Sequence, residues 1–192
     1  ILDSGKLGKV NLITMNFGSF KDYDMKNRFF NRDLAGGAML DIGVYALSFI
    51  RFFMSEKPTK LLSQVKNAPT DVDEQAGLLL MNNAGQMASV MLSLHSKQPK
   101  RGMISCENGY IEVMEYPRAW EASVTYTDSG KTEVIRAGEN SDALAYELHD
   151  MEMAINGSAE CMRLDYTRDV MDIMTEFRNS WGLRYPEEEP QS

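Results

Sequence analysis

The sequence is short of the residues most chemistry-bearing motifs are made of. Among its 192 residues there are two cysteines and two histidines. Cys106 and Cys161 share no spacing motif, which argues against a disulfide framework and for a cytoplasmic home. His95 and His149 stand far apart, each without a second ligand at useful spacing, so no metal site is expected. No Gly-x-Gly-x-x-Gly and no Gly-x-x-x-x-Gly-Lys-Ser/Thr occurs, so no cofactor-binding residues are expected in this chain. There is no Gly-x-Ser-x-Gly elbow to support a serine nucleophile. Positive charge is also scarce: 20 Lys and Arg against 28 Asp and Glu leave a net charge of −8. That balance argues against nucleic acid or an anionic membrane surface as a partner. No uninterrupted apolar run reaches the roughly 18 residues needed to cross a bilayer. Asp33 to Met54 comes nearest, and Asp41 and Arg51 break it. The N-terminus shows no signal-peptide pattern, and a start at Ile1 fits a fragment or a processed chain.

What is present reads as one soluble globular domain over residues 1–192. A 43% hydrophobic content is ordinary for such a domain, and the length allows a sizeable core. Loose alternation predicts a strand over 9–20, followed by a charged and aromatic loop over 21–32. Further strands are expected at 60–66, 74–81, 86–95, 101–106, 110–114, 122–127 and 132–136. Asn82-Asn-Ala-Gly85, Asn108-Gly109 and Asp128-Ser-Gly130 join them as hairpins. Hairpins in series give an antiparallel sheet. Two helices close the chain. The first is capped at Ser141-Asp142 and carries an apolar stripe of Leu144, Leu148, Met151 and Ile155. The second runs from Arg168 to Trp181 and stops at Gly182. The acidic tail 186–192 is expected to fray. The fold class is therefore α+β: a mostly antiparallel open sheet with helices packed on one face, the other face free for dimerisation.

One stretch organises the rest. Read as a helix from Gly37 to Phe53, it is apolar almost all round, as buried helices are. Its polar residues fall in line: Asp41, Tyr45 and Ser48 share a face, with Arg51 at the edge. Asp33 can cap the start, and Gly36 and Gly37 let another group approach the backbone closely. A carboxylate and a phenol on such a helix are either structural partners that satisfy each other or the lining of a site. In the loop before it, Arg28 and Arg32 can hold a hydroxylated or anionic substrate, or simply be solvated.

Ala35-Gly-Gly-Ala-Met-Leu-Asp-Ile-Gly-Val-Tyr45 resembles the signature that opens the C-terminal, substrate-side domain of the glucose–fructose oxidoreductase, inositol dehydrogenase and MocA family. The resemblance is strongest to the branch of dihydrodiol dehydrogenase and the sugar oxidoreductases. Asp71-Val-Asp-Glu-Gln75, Glu107-Asn-Gly-Tyr-Ile-Glu112 and the Gly182-Leu-Arg-Tyr-Pro186 ending extend it over nearly the whole chain. It implies an NAD(P)-dependent oxidoreductase on sugars, polyols or cyclic diols. Tyr45 and Asp41 would be catalytic and Arg28 and Arg32 substrate-binding, and NAD or NADP would be held by an N-terminal half that this sequence does not contain. The rival is a non-catalytic ligand-binding or dimerisation module on the same fold.

A free tyrosine phenol ionises near pH ~10 and is a poor base at neutral pH unless a cation favours the phenolate. The resemblance implies that the cation is a lysine of the missing half. Glu56-Lys-Pro58 mimics the motif that carries that lysine, yet it follows the organising helix where the family's precedes it. At ~1.5 Å per residue Lys57 lies about 18 Å beyond Tyr45 along a helix. Pro58 is read here as a helix stop, with Lys57 complementing the C-terminal end of the helix dipole.

Overall fold

The computed structural model describes residues 1–158 and 162–188. Eight strands form one open sheet: β1 (Val10–Gly18), β2 (Lys60–Asn67), β3 (Asp73–Met81), β4 (Met87–Ser93), β5 (Gln98–Cys106), β6 (Gly109–Met114), β7 (Glu121–Tyr126) and β8 (Thr132–Arg136). Their spatial order is β2-β3-β4-β1-β5-β6-β7-β8. Every neighbouring pair is antiparallel except β1 and β4, because β1 enters the sheet between two later hairpins. The fold is α+β, with the sheet open as expected. The β5–β6 turn differs in detail: Cys106 faces Gly109, so the loop is Glu107-Asn108 and Gly109 belongs to the strand.

Alternation decides what each strand buries. Ile13, Met15 and Phe17 of β1, Leu78 and Leu80 of β3, and Val90 and Leu92 of β4 point to one face. Two helices cover that face. α1 (Val44–Phe53) contributes Leu47 and Ile50, and α3 (Leu164–Ser180) contributes Val170, Ile173, Met174 and Phe177 at i, i+3, i+4, i+7. Trp181 ties the end of α3 to β2 through an Nε1–H to Ser63 Oγ bond of 2.8 Å.

The organising helix is less buried than its composition predicts. Tyr45, Ser48 and Phe52 face outward, while Arg51, expected at the rim of the polar stripe, is buried. Arg51 is paired there: its Nε lies 2.6 Å from Asp169 and its guanidinium covers the Tyr166 ring at 4.0 Å. Lys57 is held by the same helix, 2.7 Å from Asp172 and 3.7 Å from Asp169. By length and composition alone the stretch Arg32–Phe53 could cross a membrane, with Asp41 and Arg51 interrupting it, but half of the span window is buried inside the domain, as in a core helix.

α2 (Ala143–Ile155) is the other departure. It buries none of its residues, and Leu144, Leu148, Met151 and Ile155 stay exposed, Ile155 at 77%. No side chain of Ser141 or Asp142 caps it. Of the tail expected to fray, Pro186–Glu188 form a single turn in which Glu188 pairs with Arg178 through two bonds of 2.7 and 2.9 Å. Residues 189–192 and Cys161 lie outside the described residues.

Candidate active site

The loop after β1 is pinned before it reaches the site. His95 stacks on Phe20 and Tyr23, with ring centroids at 4.8 and 4.5 Å, and its Nδ1 meets the Lys21 carbonyl at 2.9 Å. The Tyr23 hydroxyl donates to Glu74 of β3. His95 is therefore a structural residue, and no cluster of metal-ligating side chains exists among the described residues.

So anchored, the loop delivers Arg28 to the organising helix. Arg28 Nη2 lies 2.5 Å from Asp41 Oδ1, and its guanidinium packs 4.9 Å from the Phe29 centroid. Asp41 sits on a single π-helical turn, Met39–Gly43, that leads into α1. Such turns recur at functional sites because the extra residue re-aims the side chains around it. The Asp41 side chain is 11% exposed and that of Arg28 60%, so the open side of the guanidinium is available to a ligand.

Asp41, Arg28 and Tyr45 line one cavity of about 560 Å³. Tyr45 is 47% exposed, and its ring rests against Phe17 at 6.1 Å. The sequence reading missed the other charged residues of the lining: Lys21, Lys100, Glu115, Arg118 and Glu147. Lys100 pairs with Glu115 at 3.1 Å and lies 5.3 Å from the Phe17 ring. Glu115 holds a left-handed backbone, φ 51°, which is uncommon away from glycine and asparagine and marks the position as a special one. That strained backbone is the one signal a structure adds here. Spacing could not reveal residues drawn from four separate segments.

A second tyrosine nearby serves as a contrast. Tyr116 meets Phe17 edge-on at 6.2 Å, but its hydroxyl is buried without a partner among the described residues, and burial pushes its phenol well above the ordinary range. It is no acid–base group at neutral pH. Arg32 does not join the cavity; its Nε donates to the Arg184 carbonyl at 2.9 Å, so it braces the C-terminal segment.

The start of the helix is built differently from the sequence expectation. Asp33 does not cap it; Asn31 accepts the Asp33 N–H at 2.9 Å. The cap comes from β3, where Asp73 Oδ2 accepts the Met39 N–H at 2.6 Å. A carboxylate therefore already occupies the start of the helix that presents Asp41 and Tyr45, and a cofactor diphosphate would meet like charge there.

A profile of the GFO/IDH/MocA C-terminal domain matches residues 1–112, more than half of the chain. The chain belongs to this family. It is 24% identical over 201 residues to a trans-1,2-dihydrobenzene-1,2-diol dehydrogenase of Oryctolagus cuniculus, covering 98% of this chain and 60% of that protein. The Homo sapiens protein of the same name is 24% identical over 208 residues, at 98% and 58% coverage. The chain thus spans about three fifths of the length of these curated relatives. Among solved structures, an aldose-aldose oxidoreductase from Caulobacter crescentus complexed with glycerol superposes with a TM-score of 0.77 at 22% identity, over 95% of this chain and 57% of that one. A 3-ketoreductase from Actinomadura kijaniata, in complex with TDP-benzene and NADP, gives 0.73 at 16%, again over 95% and 57%. These likenesses confirm the fold of a GFO/IDH/MocA C-terminal domain.

Proposed function

We propose that this domain is the substrate-side half of an NAD(P)-dependent oxidoreductase acting on a sugar, polyol or cyclic diol. The observation that carries the reading is the convergence of Tyr45, Asp41 and Arg28 on one polar cavity in a GFO/IDH/MocA domain. Tyr45 moves the hydroxyl proton of the reacting CH–OH group. Asp41 accepts a hydrogen bond from a neighbouring hydroxyl, and the open side of Arg28 donates one. The nicotinamide, held by a nucleotide-binding half, takes or gives the hydride. This chain does not fit the dinucleotide itself, since it has no glycine loop and the start of the helix that presents Asp41 and Tyr45 is filled by Asp73. The outward face of α1, with Tyr45, Ser48 and Phe52, and the uncovered stripe of α2 are the surfaces this half would present to that partner domain.

Calorimetric titration of residues 1–192 with NAD and with NADP is expected to show no micromolar binding. Binding at that level would overturn the division of labour. The two-domain protein is expected to reduce NAD(P) with at least one vicinal diol or aldose, and a protein inert to the whole panel would be a binding module.

The open face of the sheet supports self-association. Leu62 at 69% and Met91 at 57% exposure flank Leu79 on a shallow concavity, and Met87 continues the strip. Ser93, expected on this face, is buried instead, and its Oγ accepts the His95 N–H at 3.1 Å. Methionine and small side chains suit a packed two-fold contact. Sedimentation is expected to give a dimer at high micromolar concentration, and Leu79→Lys with Met91→Lys a monomer. A wild-type monomer would remove the idea.

A further inference from the structure

Asp73 stands outside the cavity yet governs the element that lines it. Its side chain is fully buried, and Oδ2 takes the Met39 N–H at 2.6 Å, satisfying one of the donors a helix start leaves open. Room for Oδ1 exists because residue 37 is glycine with φ +121°; a Cβ there would overlap that oxygen. Charge reaches the carboxylate from α3 through Arg178, which Glu188 holds, and Tyr185 adds a phenol whose hydroxyl donates to the Gly36 carbonyl at 2.6 Å. Four segments therefore meet at the first turn of the helix. Within the next two turns that helix presents Asp41 and then Tyr45.

We propose that Asp73 is a positioning residue for the proton-transfer site: its carboxylate, seated in the notch left by Gly37, sets where the helix begins and so where Asp41 and Tyr45 stand. The catalytic half of this statement rests on the function proposed for Tyr45; the structural half does not. Burial, against the pull of the Met39 amide and Arg178, raises the Asp73 carboxyl from 3.8 to about 7. An ionised carboxylate holds an amide more tightly than a neutral one. The cap therefore tightens as pH rises through neutrality. Fold stability runs the other way: with the folded value raised, this group's contribution is full below pH 4 and is lost as pH rises through 7.

The test is an amide NMR titration of residues 1–192 between pH 5.5 and 8.5, with hydrogen exchange, on wild type, Asp73→Asn and Asp73→Ala, joined to kcat and KM of the two-domain protein. In wild type the Met39 amide is expected to move with a midpoint near 7, and the amides of Asp41 and Tyr45 with the same midpoint. In Asp73→Asn those movements vanish, and in Asp73→Ala, which leaves the Met39 N–H without its acceptor, exchange from Met39 to Tyr45 quickens about fivefold, the worth of one helix cap, while β4 is unchanged. The kcat of Asp73→Ala falls about 10- to 10²-fold through misplacement of the reacting group, KM holds, and the acid limb near pH 7 disappears. Movement confined to Met39, or wild-type exchange in Asp73→Ala, overturns the proposal. If neither variant folds, the wild-type titration decides alone. If the amides couple but turnover and its pH profile stay normal, the positioning claim fails where Tyr45→Phe is inactive. Where Tyr45→Phe is normal as well, it is the function assigned to Tyr45 that fails.

Discussion

Tyr45→Phe in the two-domain enzyme is expected to cut kcat by roughly 10²–10⁴, the usual contribution of a positioned acid–base group. On the proposed function the loss falls on kcat, because Arg28 and Asp41 would still hold the substrate and the nucleotide-binding half the cofactor. The fold should hardly notice. The Tyr45 ring lies half exposed against Phe17, and phenylalanine keeps that contact. The change in stability should stay below about 1 kcal/mol, as for a half-exposed hydroxyl with no hydrogen-bond partner among the described residues. Lys57→Ala is the control. Lys57 pairs with Asp172 and Asp169 on α3 in a partly exposed setting, so its loss should shift stability by no more than about 1 kcal/mol and leave turnover alone. Normal turnover in Tyr45→Phe would reduce the phenol to a structural group. A dead Lys57→Ala enzyme would mean that Glu56-Lys57-Pro58 is the catalytic motif after all.

Gly36→Ala is expected to be a damaging single-methyl addition at the start of the organising helix. A Cβ at residue 36 would overlap the Arg28 carbonyl oxygen and lie 2.9 Å from both the nitrogen and the oxygen of Asn31. These are backbone atoms of the turn that carries Arg28, and they cannot rotate away as a side chain end could. On the other side, Tyr185 donates to the Gly36 carbonyl at 2.6 Å, so residue 36 cannot retreat without breaking that bond. Overpacking of this kind costs about 3 kcal/mol, which for a chain of this size lowers Tm by roughly 10 °C. The same shift separates Arg28 from Asp41. Gly85→Ala is the comparison, because a Cβ there meets nothing within 4 Å and only the φ of +80° is strained. It should cost about 1–2 kcal/mol. Equal Tm values for the two variants would contradict the close approach described for Gly36.

Much of this architecture is legible in the residues because it is local. Alternation along β4 marks Ala88, Val90 and Leu92 as inward, and the turns ending at Gly85 and Gly130 both form. The adjacent Gly36 and Gly37 announce a close approach, and Arg28, Asp41 and Tyr45 line one cavity. What was not legible is long-range. The cap at Met39 comes from Asp73, far along the chain, so the nearby Asp33 looked the better candidate. Arg51 reads as a rim residue until α3 supplies Asp169 and Tyr166. Lys100, Glu115 and Glu147 reach the cavity from β5, from the turn after β6 and from α2, and no spacing links them. The stripe on α2 was read correctly as apolar, but nothing among the described residues covers it.

The measurement that tests the central claim most directly is the structure of the two-domain protein with nicotinamide cofactor and a diol or sugar bound. The account predicts Tyr45 Oη within about 2.6–3.2 Å of the reacting hydroxyl, the carbon of that hydroxyl facing the nicotinamide, and Asp41 and Arg28 on the neighbouring hydroxyl. A substrate whose reacting hydroxyl touches none of these three side chains would contradict it.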